Sequence, residues 1–154
     1  MAVNYHAVVD EVLCEVLEKQ AFLFPDRTSA ESLPPQSGNM ILAYMRFSGS
    51  PAKGEIGFYA PEVMCREMAA NLLGVDDDDE AAASQAADSL KEMLNMVCGN
   101  FLTALAGGSV VFDLSVPDAK IITKEEWDAV LTRPDALCYA SDDYAIVCTL
   151  SIEG

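Results

Sequence analysis

Apolar residues recur along this chain at two spacings, every three to four places in some stretches and every second place in others. Val3, Ala7, Val8, Val12, Val16 and Leu17 follow the first rhythm and predict a helix over residues 3–19. Residues 25–39 lose it in a mixture rich in Pro, Ser and Gly, which predicts a surface loop. MILAYMRFSG at 40–49 and GEIGFYAP at 54–61 then read as two strands, and the Gly49-Ser50-Pro51-Ala52-Lys53 connector suits an antiparallel hairpin. Pro61 can occupy a first helical turn, EVMCREMAANLL continues that helix, and Gly74 ends it.

Asp76 to Asp79 are good helix caps and put negative charge at the positive end of a helix dipole. They predict a long helix from about residue 80 to 106, stopped by Gly107-Gly108. SVVFDLS at 109–115 reads as a strand, with another around residues 119–122. Thr123 and Glu126 have the form of a capping box opening a short helix through Trp127 to about Leu131. ALCYAS and YAIVCTLSI close the chain as two strands turning at Asp142-Asp143. The order predicts an α/β fold of the α+β type, a mainly antiparallel sheet packed against two long helices, in one domain spanning 1–154.

Composition narrows the function classes. Apolar residues make up 51% and charged residues 22%, the balance of a chain that folds. The net charge is −16, from 25 acidic against 9 basic residues, and no stretch gathers Lys or Arg. Nucleic acid and an anionic membrane surface are therefore poor partners. The start carries Asp10, Glu11, Glu15 and Glu18 rather than a basic, apolar leader, and no apolar run reaches spanning length, so a cytoplasmic location is expected.

Five cysteines, Cys14, Cys65, Cys98, Cys138 and Cys148, sit among apolar residues without C-x-x-C spacing and are expected to be buried reduced thiols. With His6 as the one histidine, a zinc site is disfavoured. The Asp76–Asp79 run lacks the alternating ligands and central glycine of a calcium loop. Met40, Met45, Met64, Met68, Met93 and Met96 are expected to fill core, and Tyr139 and Tyr144 to pack on strands.

The chemistry concentrates on the helix through residues 88–105. At 100° per residue, Leu90, Leu94, Val97, Phe101 and Leu105 form a buried stripe. Asp88, Glu92, Asn95 and Gly99 fall together on the opposite side. Most such stripes are simply solvated, but Asn and Gly are poor choices for an exposed helix interior, and a glycine there lets another backbone approach.

Asp88-x-x-x-Glu92-x-x-Asn95, then twenty-one residues, then Pro117, resembles the signature of the CheC/CheX/FliY chemotaxis phosphatases. GEIGFYAPEVMCREMAANLLG and IVCTLSIEG also resemble the family, and the likeness covers most of the chain from about residue 40, with the 123–131 segment around Trp127 departing from it. On the helix after the hairpin, Glu67 is followed three places later by Ala70, with Asn71 one place late. No second Glu-x-x-Asn stands there, so the chain is most similar to the one-site CheX branch.

The resemblance implies a phosphatase acting on the aspartyl phosphate of a CheY-like response-regulator receiver. Glu92 and Asn95 would be the catalytic residues, Asn95 orienting the attacking water and Glu92 pairing with a receiver lysine. Asp88, Gly99 and Pro117 would support partner binding. It implies no metal or cofactor of the chain's own, Mg²⁺ being supplied by the receiver, and it implies a homodimer. The alternatives are a catalytically silent module docking to a receiver or a flagellar switch component, and a small-molecule sensor using the helix–sheet interface.

Overall fold

The computed structural model describes residues 4–35, 38–49 and 52–153. Val3 and the Ser50-Pro51 part of the hairpin connector lie outside them. The chain runs α1 (Tyr5–Ala21), β1 (Asp26–Thr28), a 3-10 turn (Ala30–Ser32), β2 (Met40–Ser48), β3 (Lys53–Pro61) and α2 (Glu62–Leu73). It continues as α3 (Glu80–Ser84), α4 (Ala86–Ala106), β4 (Asp113–Leu114), β5 (Asp118–Ile122), α5 (Lys124–Val130), β6 (Ala136–Ser141) and β7 (Tyr144–Glu153).

The strands form one sheet in the order β1-β6-β7-β3-β2-β4, with β5 also paired to β2, and every pairing is antiparallel. β2 and β3 make the expected hairpin, in register from Met40 opposite Pro61 to Phe47 opposite Gly54. β6 and β7 turn at Asp142-Asp143, where Asp142 takes a left-handed φ of 52° that aspartate tolerates better than most residues.

Alternation along the strands splits the sheet into two faces. Ile41, Ala43, Met45 and Phe47 of β2, with Ile56 and Phe58 of β3 and Ile146 and Cys148 of β7, share a core with α1, α2 and α4. Met40, Tyr59, Ile122 and Val147 point the other way and are covered by Trp127 and Val130 of α5. That short helix carries the expected capping box between Thr123 and Glu126. Met40, Met45, Met64, Met68 and Met93 are buried and Met96 packs beside them. The cysteines are all free, four buried and Cys14 half-buried.

Three local expectations are corrected. The 25–39 segment is not all loop, because Asp26–Thr28 pairs with Cys138–Ala140 as an edge strand. The helix expected over 80–106 breaks at Gln85 (φ −102°, ψ 4°), leaving α3 as a separate turn capped by the Asp79 carboxylate, which accepts from the Ala81 N–H at 2.8 Å. The strand expected over 109–115 shrinks to two paired residues, opposite Phe47 and Ser48, while Val111 stands exposed. Among the described residues, no helix is long and apolar enough to cross a membrane.

Candidate functional site

Helix α4 is fixed from below. Leu90, Leu94, Val97 and Phe101 are fully buried against the sheet, and the Phe101 ring meets Phe47 edge-on at 6.0 Å between centroids. Each such side chain contributes about 1.5–3 kcal/mol of burial. Ser89, which belongs to no motif, is buried and locks the helix rotation. Its hydroxyl shares its one proton between the Cys65 carbonyl of α2, 2.9 Å away, and the Ala86 carbonyl of α4, 2.8 Å away.

That anchoring decides which residues face outward. Asp88, Glu92 and Asn95 are exposed and Gly99 is half-buried. Glu92 and Asn95, one turn apart, project side by side into an open groove of about 450 Å³. Its walls are Gln85, Asp88 and Lys91 from the helix side, and Val116 and Pro117 from the segment between β4 and β5. The structure thus brings Asp88, Glu92, Asn95 and Pro117 to one place. Gly99, one turn beyond Asn95, does not line this groove; a Cβ built there would meet nothing within 4 Å.

The electrostatics are simple. Lys91 Nζ lies 3.0 Å from Asp88 Oδ1, an i, i+3 ion pair. Among the described residues, the Glu92 carboxylate and the Asn95 carboxamide take part in no side-chain hydrogen bond or ion pair. They are presented with no protein partner of their own. No group of three or more His, Cys, Asp or Glu capable of holding a metal occurs among the described residues.

Other reactive side chains are committed elsewhere. Burial pushes the Cys65, Cys98 and Cys148 thiols up to about 12, so none is a nucleophile near neutral pH. Tyr139 is buried and donates to Asp10, tying β6 to α1, with Arg27 stacked on its ring at 5.7 Å. On α2, Glu67 accepts the Tyr144 hydroxyl, and Ala70 is 3% exposed. This part of α2 offers no second acid–amide pair.

A helix-backed antiparallel sheet presenting an acid and an amide on one rigid helix places the molecule in the CheC/CheX class of folds. The family model for chemotaxis phosphatase CheX matches residues 41–136, well over half of the chain. The chain belongs to that family. Among curated proteins, no sequence matches it.

Solved structures agree on the fold. The CheX–CheY–BeF3–Mg²⁺ complex from Borrelia burgdorferi includes a chain 20% identical, with a TM-score of 0.70 over 99% of this chain and 100% of that one. Chemotaxis protein CheX from Vibrio vulnificus is 19% identical, with a TM-score of 0.70 over 98% and 97%. A CheC-like superfamily protein from Shewanella sp. PV-4 is 18% identical, with a TM-score of 0.67 over all of both chains.

Proposed function

We propose that this chain, acting as one cytoplasmic domain over 1–154, hydrolyses the aspartyl phosphate of a phosphorylated CheY-like receiver. The observation that carries the reading is the unengaged Glu92–Asn95 pair, exposed on one face of a helix that Ser89 and the buried stripe hold still. Membership of the CheX phosphatase family supports it, as does a relative from Borrelia burgdorferi that forms a complex with CheY.

Phosphoryl transfer is accelerated mainly by positioning and electrostatics. The Asn95 amide has a donor and an acceptor, so it can hold a water in line with the bond to be broken. Being neutral, it adds no repulsion to a site of negative oxygens. Water oxygen bonds to phosphorus while the bond from phosphorus to the aspartyl oxygen breaks. The electron pair leaves with the regenerated carboxylate, and the water protons end on inorganic phosphate and solvent. Glu92, on the same face, pairs with a receiver lysine and fixes the approach. The chain contributes no metal or cofactor; the Mg²⁺ that neutralises the phosphoryl oxygens belongs to the receiver.

The homodimer suggested by the family is assigned to the open sheet edge formed by β4 and β5. There Ile121 of β5 is 56% exposed beside unpaired strand backbone. Light scattering of Ile121→Lys should report a monomer. Phosphate release from several phosphorylated receivers of the same cell tests the enzymatic reading. Acceleration with at least one is expected. Binding without acceleration of any of them would leave a docking module and overturn the enzymatic reading.

A further inference from the structure

The groove beside Asn95 holds two carboxylates, Asp88 and Glu92, and one cation among its described lining residues, Lys91. On a chain of net charge −16, a dianionic phosphoryl group approaching this groove meets like charge on nearly every side. Lys91 is placed to offset it. It stands four residues before Asn95, hence on the same side of α4 about 40° away around the axis. Its side chain is 33% exposed, so its stem lies along the groove wall. Its ammonium is turned back to Asp88, whose own side chain is 56% exposed. An exposed pair of that kind is worth well under about 1 kcal/mol, so exchanging it for a stronger acceptor costs little.

We infer that Lys91 is the phosphoryl-binding cation of this site. Its ammonium swings from Asp88 to an oxygen of the receiver's phosphoryl group as Asn95 engages the water. This rests on the proposed phosphatase reading and adds to it a residue outside the acid–amide signature. Asp88 then acts as the resting partner that keeps the ammonium over the groove in the free protein.

The test compares binding of wild type and Lys91→Gln to a CheY-like receiver with and without beryllofluoride and Mg²⁺, a stable phosphoryl mimic. Lys91→Gln should raise Kd for the loaded receiver about fivefold, the effect of one charge about 4 Å away in watery surroundings. It should leave the unloaded receiver unchanged. Raising salt to about 0.5 M should shrink the loss, and Lys91→Arg should restore most of the affinity. An equal loss for loaded and unloaded receivers would make Lys91 an ordinary surface contact, and no loss would make it a helix-surface pair only. Either overturns the inference. Asn95→Ala separates the two readings: it should bind the loaded receiver normally yet fail to hydrolyse the phosphorylated one. A wild type that neither prefers the loaded receiver nor hydrolyses the phosphorylated one would sink both.

Discussion

Asn95 and Pro117 line one groove although twenty-one residues separate them in the chain. The intervening chain runs down the rest of α4, turns at Gly107 (φ 84°) and returns through β4, so the spacing is the contour length of a closed path. Pro117, immediately before β5, restricts where that path re-enters the groove. Pro117→Gly should cost no more than about 1 kcal/mol of stability, because it acts through loop entropy. It should raise the half-saturating receiver concentration several-fold, while Asn95-dependent turnover at saturation persists. Steady-state phosphate release over a receiver titration checks this.

Glu92 is exposed and has no partner among the described residues, so its replacement leaves no buried group unsatisfied. Glu92→Lys should leave the thermal midpoint nearly unchanged. It should raise the half-saturating receiver concentration about tenfold or more, because attraction to a receiver lysine becomes repulsion. Glu92→Gln should fall between. A calorimetric melt and the same receiver titration suffice.

Gly99 should show stability and function moving in opposite directions. A methyl there meets nothing within 4 Å, and alanine favours helix over glycine by about 1 kcal/mol. Gly99→Ala should therefore stabilise the free protein slightly while weakening receiver binding, since the added methyl stands where a partner's backbone would approach. Urea denaturation paired with a binding isotherm tests both halves.

The thiols set a pH limit. Cys65, Cys98 and Cys148 are pushed from the usual 9.0 to about 12, by burial above all. In the unfolded chain they ionise near 9, whereas in the fold they stay protonated. Above that pH the native state holds more protons than the unfolded one, so this contribution to stability is whole below about pH 9 and is lost as pH rises toward 12. The melting temperature should fall across that window. Thiolate absorbance from these three should appear with unfolding rather than before it, read in a variant whose half-buried Cys14 is replaced by serine.

The parts of the fold that were legible in the sequence are those where periodicity and burial agree. The stripe from Leu90 to Phe101 carries both, so the outward face of α4 followed directly. The break at Gln85 was hidden because EAAASQAADS is rich in helix formers, and tertiary packing sets where α3 ends. Val110 and Val111 have strand propensity, yet pairing is confined to Asp113 and Leu114 at the sheet edge. Asp-Arg-Thr at 26–28 carries no strand pattern of its own and pairs only because β6 offers an edge. Pro117 was tied to the site through the family signature alone. Lys91 and Ser89 belong to no motif, and only the folded neighbourhood shows what they touch.

In the proposed mechanism, one exposed amide, Asn95, positions the water that attacks another protein's phosphoryl group. Decay of a phosphorylated CheY-like receiver should be measured alone, with wild type, and with Asn95→Ala. Fast decay is expected with wild type and, with the variant, decay no faster than the receiver alone, the variant remaining folded and still binding. Equal acceleration by both proteins would contradict it.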